Sequence, residues 1–221
     1  MTMELDRTIR WRPLEGAGIE HCHVLGTDRD IRIRSAVVTP DFGLFYRIKL
    51  DANGHVRTVK LERTDGRVLE LFADGAGNWS DDRAEPLPNL AGCIDIDIWP
   101  TPLTNSLPIW RSQWTIGTPQ RFAMARIDGD EMTVQRNEQI YTKIDDSHFR
   151  FRAPMASSGC SKWTGMVWWS TIPACLRWRP SRHRRVIKSA QNRSRSCRWE
   201  HQQSCSRSCG TSLRACRLRR S

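Results

Sequence analysis

Two carboxylates set two residues apart are the first feature of this chain that could carry chemistry. Asp95 and Asp97 lie in the run Ile94-Asp95-Ile96-Asp97-Ile98. On a strand, residues i and i+2 point to the same face, with Cα atoms about 7 Å apart at about 3.3 Å per residue. Paired carboxylates can divide the acid and base roles of a hydrolysis. Two plainer readings stand beside that one. The aspartates form a solvated strand face opposite a core face of Ile94, Ile96 and Ile98, or they pair with cations such as Arg12 or Arg47 and line a polar pocket.

A second group, Arg12, Glu15, Glu20 and His21, falls within Trp11-Arg12-Pro13-Leu14-Glu15-Gly16-Ala17-Gly18-Ile19-Glu20-His21-Cys22. Arginine offers a planar, permanently charged fork that suits carboxylate or phosphate headgroups. Imidazole is the side chain whose charge changes near physiological pH, which makes His21 a candidate proton carrier. Headgroup recognition, an internal salt-bridge network fastening the segment, and general acid/base catalysis all use these residue types. Catalysis by Asp95 or Asp97 with Glu20 or His21 would make the chain a hydrolase or isomerase. Thr104 and Asn105, in a second polar segment, complete the candidate ligand contacts. Trp11, Trp79, Trp99, Trp110 and Trp114 serve either packing or stacking on a sugar face. The chain has no G-x-S-x-G, P-loop, H-E-x-x-H or Rossmann glycine pattern, which weighs against an enzyme, and no residue is assigned as catalytic. No cofactor is implied.

These groups must be positioned by strands. Apolar and charged residues alternate in Ile31-Arg32-Ile33-Arg34, Val59-Lys60-Leu61-Glu62, Leu69-Glu70-Leu71, Ile94 to Ile98 and Phe149-Arg150-Phe151-Arg152, the period of a half-buried strand. Asn53-Gly54, Asp65-Gly66, Asp74-Gly75-Ala76-Gly77 and Asp128-Gly129 mark reversals between strands. Short strands with such turns predict an antiparallel meander that curls into a roll, barrel or sandwich. The segments 11–22 and 95–109, dense in Pro, Gly, Trp and charge, read as loops. One short helix is expected around Thr104 to Trp114, with Thr104 or Asn105 as N-cap and Pro108 in the first turn.

The chain has 221 residues and a formal net charge of +11. That charge is unevenly spread. Residues 1–153 hold 20 basic and 23 acidic side chains, a net of −3, whereas residues 154–221 hold 15 basic and one acidic, a net of +14. Six of the eight cysteines also fall in the second part. We therefore divide the chain into a body, 1–153, and a basic tail, 154–221. No apolar run is long enough to span a bilayer as a helix, and the acidic start lacks a signal-peptide pattern; the expected setting is the cytoplasm. There Cys22 and Cys93 would be reduced and buried. The tail has no C-x2-C pair and its spacings match no structural zinc pattern, so no metal site is assigned. Its arginines would attract nucleic acid only non-specifically.

The body carries a family resemblance. W-R-x-L-E-G-x-G-x-E-H near the start, Leu71-Phe72-Ala73-Asp74-Gly75-Ala76-Gly77-Asn78-Trp79, Leu87-Pro88-Asn89-Leu90-Ala91-Gly92-Cys93-Ile94-Asp95-Ile96-Asp97, Thr101-Pro102-Leu103-Thr104-Asn105-Ser106-Leu107-Pro108-Ile109 and Gln139-Ile140-Tyr141-Thr142 occur in that order. The chain resembles a bacterial family of glycolipid-binding proteins, formerly a domain of unknown function, over about residues 9–153. The resemblance implies a mostly β fold, an antiparallel spiral β-roll or partly open barrel wrapped around one short helix, forming a homodimer. The family's functional label rests on architectural analogy to lipid carriers.

The resemblance also implies an ending of the form V-D-x-D-G-x-V-x-D-Y-P-G-L, which the tail lacks. The tail's residues are compatible with that ending in another reading frame. Taking the third base of each codon with the first two of the next, Trp163-Thr164 gives only Asp, Met166-Val167 only Gly and Trp168-Trp169 only Val, and the later junctions permit the rest. Upstream, Met155-Ala156 gives Gly, so the slip lies near Ala153 or Pro154. Residues 154–221 are therefore read as out-of-frame translation and expected to be disordered, with the final strands of the roll missing.

The expected function is binding of a glycolipid or other amphipathic small molecule, with Arg12, Glu15, Glu20, His21, Arg47, Asp95, Asp97, Thr104 and Asn105 around the headgroup. The alternatives are the hydrolase or isomerase, and a ligand-free structural protein that dimerises through a sheet edge.

Overall fold

The computed structural model describes residues 5–13, 16–153, 167–171, 196–198 and 200–202. The first seven strands are β1 (Leu5–Arg12), β2 (Ile19–Gly26), β3 (Asp30–Val38), β4 (Gly43–Asp51), β5 (Val56–Arg63), β6 (Val68–Ala73) and β7 (Trp79–Asp81). Each pairs antiparallel with the next in sequence. The alternation predicted for Ile31–Arg34 runs the whole length of β3: Ile31, Ile33, Ser35 and Val37 are buried while Arg32, Arg34, Ala36 and Val38 are exposed. One face of this sheet is core and the other meets solvent, the arrangement that gives an antiparallel sheet its period of two.

A second sheet is built from β8 (Asp95–Trp99), β9 (Pro119–Asp128), β10 (Thr133–Lys143) and β11 (His148–Arg152), and three short strands come from the tail, β12 (Val167–Thr171), β13 (Ser196–Arg198) and β14 (Glu200–Gln202). The second sheet has the order β14-β12-β11-β10-β9-β8, whereas β13 extends the first sheet beside β1. β12 and β14 pair antiparallel, and β13 runs parallel to β1. The expectation of disorder for the remainder of 154–221 lies outside the described residues.

Two departures from the sequence reading have clear causes. The segment 11–22 is a hairpin rather than a loop: Trp11 near the end of β1 stands opposite Glu20 on β2. Its glycines mark the reversal, with Gly16 at φ +80°. The segment 95–109 is also ordered, as β8, a 3-10 turn at Leu103–Asn105 and helix α1 (Ser106–Arg111). β8 runs parallel to β9, so the sheets are not antiparallel throughout. Parallel neighbours need a crossover connection, and α1 lies in it. The helix is shorter than the 104–114 expected and has no side-chain cap. Six residues cannot hold a helix by propensity. Packing holds it instead: Leu107 lies in the main core with Ile33, Leu61, Ile96 and Ile98, and Ile109 lies in a second cluster with Tyr141, Phe149 and Phe151. Each such apolar side chain contributes about 1.5–3 kcal/mol by burial. No described helix is long and apolar enough to cross a membrane.

The two sheets are also joined by polar contacts. Arg63 on β5 reaches the Asp130 carboxylate in the β9–β10 turn and lies over the Phe42 ring at 4.5 Å. In that turn Gly129 is needed for close approach, since a Cβ there would lie 2.5 Å from the Trp99 carbonyl oxygen. Cys22 and Cys93 are free thiols and buried, as expected.

Candidate functional site

The residues proposed from sequence separate into three places. Glu20 faces the interior of β2, buried at 3% exposure. Its Oε1 accepts from Ser35 Oγ at 2.7 Å on β3 and from Tyr46 Oη at 2.6 Å on β4. Thr101 Oγ1 lies 2.8 Å from Oε2. Three hydroxyl donors favour the ionised carboxylate, but burial outweighs them and raises its pKa. The same burial, with the charge of Glu20 nearby, pushes the Cys22 thiol far up. His21 is the next residue along the strand, so its side chain leaves by the opposite, exposed face and contacts Arg10. Glu20 and His21 therefore do not converge, which removes that pair from the hydrolase reading.

Arg12 and Arg47 are also exposed on the outer face, and Arg47 pairs with Glu62 at 2.7 Å. Neither reaches Asp95 or Asp97. Glu15 lies outside the described residues.

The remaining four candidates come together around β8 and α1. The expectation of a solvated aspartate face is overturned here: Asp95 has no exposed surface and Asp97 is partly buried, with Ile96 and Ile98 buried on the other side. β8 is covered on both faces because the α1 crossover closes over it. Asp95 is clamped by Arg111 of α1, with Nε 3.1 Å from both oxygens and Nη2 2.5 Å from Oδ2. This fork geometry makes a directional, charge-assisted pair. Burial still raises the Asp95 pKa against the Arg111 contribution. Burial also raises that of Asp97, opposed by Arg126 and by a 2.7 Å bond from Gln139 Nε2.

Asp97 begins a polar chain. Gln139 is fully buried, and its Oε1 lies 2.8 Å from Tyr141 Oη, which in turn lies 2.9 Å from Asn105 Oδ1. A hydroxyl donates one hydrogen, so it can serve one of those two oxygens. Turning the Asn105 carboxamide presents its nitrogen instead and satisfies the chain, with every donor aimed towards Asp97. Thr104 does not cap the helix; its Oγ1 accepts from the Ile98 backbone N–H at 3.0 Å and fixes the turn after β8.

Tyr141 belongs to two structures at once. Its hydroxyl is in the polar chain, and its ring stands 5.8 Å from Phe122 and 5.2 Å from Phe151. Trp114 extends this cluster, edge-on to Phe149 at 5.0 Å, and Arg111 lies 5.5 Å from the Phe122 ring centroid. Trp114 and Phe122 are partly buried. Trp11 and Trp79 are core residues, and Trp79 Nε1 donates to the Cys93 carbonyl at 2.7 Å.

Sequence reasoning singles out Asp95, Asp97 and Asn105 but not Arg111, Gln139 or Tyr141, their actual partners. Gln139-Ile140-Tyr141-Thr142 is one of the motifs that carry the family resemblance, and the same-face spacing of Gln139 and Tyr141 is the available signal. No group of three or more His, Cys, Asp or Glu able to hold a metal occurs among the described residues.

Two β-sheets packed through an aliphatic core, with a polar chain abutting an aromatic cluster beside one short helix, define a mostly β protein. The chain belongs to the family described as "Putative glycolipid-binding", which matches residues 8–160. It is similar to the crystal structure of a DUF1089 family protein from Pseudomonas aeruginosa, at 27% identity and a TM-score of 0.58, over 75% of this chain and 88% of that one. No curated protein matches the chain.

Proposed function

We propose that the protein binds a glycolipid or a similar amphipathic molecule at the junction of the polar chain and the aromatic cluster. The observation that carries this is Tyr141, whose hydroxyl joins Gln139 and Asn105 while its ring packs with Phe122 and Phe151. A sugar headgroup needs ordered donors and acceptors, which the half-buried Arg111 and Asp97 offer while the buried Gln139, Tyr141 and Asn105 hold Asp97 in place, and apolar portions need aromatic and aliphatic surface, which Trp114 and Phe122 begin. The family membership supports the ligand class. Glu20, fully engaged by three hydroxyls, serves to fasten the sheets. Arg12, His21 and Arg47 stand apart from this site. The reading carries with it a cytoplasmic homodimer, checked by cell fractionation and by light scattering, and an out-of-frame tail, checked by sequencing the gene.

The test is mass spectrometry of organic extracts from the purified chain, with bacterial polar lipid fractions added back and binding followed by Trp fluorescence. A defined glycolipid class retained by the parent and lost in Trp114→Ala and Tyr141→Phe supports the proposal. Equal retention in parent and variants, or no binding of any fraction, overturns it.

A further inference from the structure

The outer face of the first sheet has a charge pattern that the ligand site does not use. Cross-strand register places His23 of β2, Arg34 of β3, Arg47 of β4 and Lys60 of β5 directly opposite one another in a single row. In the next row Arg32 stands opposite Lys49. Like charges directly opposite in an antiparallel pair destabilise the sheet, and the body as a whole is slightly acidic. Local acids answer part of the row: Glu62 pairs with Arg47, Glu70 with Lys60, and Asp30 with Arg32. Arg34, exposed at the centre of the row, has no acidic partner among the described residues.

The same face carries Ile19 at 39% exposure, Val38 at 55%, Val68 at 56% and Phe72 at 38%. Register shows why they share it: Ile19 opposes Val38 two rows from Arg34, Val68 opposes Glu62, and Phe72 opposes Thr58. Among the described residues, Ile116 is the one remaining large apolar side chain with comparable exposure. A face that interleaves cations with exposed aliphatic and aromatic residues has the composition of an interfacial membrane-binding surface, cationic for the phosphates and apolar for the headgroup boundary. Nucleic acid would call on the cations but not on Ile19, Val38 and Val68.

We propose that this outer face docks on an anionic lipid bilayer, with Arg34, Arg47 and Lys60 against lipid phosphates and the exposed apolar residues at the headgroup boundary. This goes beyond the binding of one ligand molecule, since it requires no occupied site.

The experiment is co-sedimentation of the full chain with vesicles of phosphatidylcholine alone, or of equal parts phosphatidylcholine and phosphatidylglycerol, across a salt series. The parent is expected to bind the anionic vesicles and to be released by salt. Replacing Arg34, Arg47 and Lys60 together by Gln should weaken partition about a hundredfold, about fivefold per cation. The charge-matched control Arg67→Gln, Arg83→Gln and Arg121→Gln should leave it unchanged, the tail being identical in both. Arg34→Gln alone breaks no ion pair, and so gives a fivefold loss even if the triple variant folds poorly. Ile19→Ser with Val38→Ser should also weaken binding, at unaltered charge. Equal partition of the face and control variants overturns the proposal. So does tighter binding of duplex DNA than of anionic vesicles, lost in the face variant.

Discussion

Thr101 Oγ1 lies 2.9 and 2.8 Å from the two carboxylate oxygens of Glu20, across 81 residues of chain. The contact fastens the segment between β8 and α1 to the interior of the first sheet. It also couples stability to protonation, because burial raises the Glu20 pKa above its ordinary value of 4.5. A carboxyl whose folded pKa is raised contributes stability that is fully present below the unfolded value and is lost as pH rises through the folded one. Glu20→Gln removes that loss and keeps an acceptor for Ser35 and Tyr46. Chemical denaturation across pH should find the variant gaining on the parent from about pH 4.5 upwards. A difference that is flat with pH, or that moves the other way, refutes this account of Glu20.

The Asp95–Arg111 clamp gives a prediction about unequal partners. Arg111→Ala strands a carboxylate that has no exposed surface, and should cost about 3–5 kcal/mol. Asp95→Asn with Arg111→Met removes both charges and should cost clearly less. Urea melts of the three proteins check the order, which reverses if the aspartate can reach water.

Much of the frame is legible in the residues. Strict alternation marks β3, β5, β6 and β11 because each has one wet face, and Asn-Gly or Asp-Gly pairs mark the turns. β8 misleads for a physical reason: its Ile/Asp alternation has the same period whether the aspartates face water or an arginine on a crossover helix. The partners of Asp97 are hidden by distance, since Gln139 is 42 residues away. Glu20 looks like a loop residue because the glycines and proline before it mask a hairpin. Sequence reports period and turn chemistry; which strand lies beside which is set by packing.

Two glycines separate backbone strain from crowding. Gly66 has φ +90° and open space where an alanine methyl would sit, whereas Gly77 has φ +100° with Gly92 Cα 2.8 Å from where a Cβ would lie. Gly66→Ala should cost about 1–2 kcal/mol from the left-handed conformation alone. Gly77→Ala carries that cost and must also displace backbone, so its thermal midpoint should fall further. Equal midpoints would show that the 90–93 turn yields freely.

Tyr141→Phe keeps the ring in its aromatic cluster and removes the hydroxyl between Gln139 and Asn105. With two buried amides losing a partner, the expected cost is about 1–3 kcal/mol, read by denaturant titration, with the near-ultraviolet circular dichroism of the aromatic cluster retained. A neutral result would mean that the amides re-pair with each other.

The order of the first seven strands has a kinetic consequence. Each pairs with its immediate successor, so that sheet can assemble by zipping consecutive hairpins, with only short loops to close. β8 finds β9 only after the chain has travelled through the crossover and back. Hydrogen-exchange labelling during refolding should therefore find amides of β3 and β4 protected before those of β8, so that the cradle of the polar chain matures after the hairpins of the first sheet.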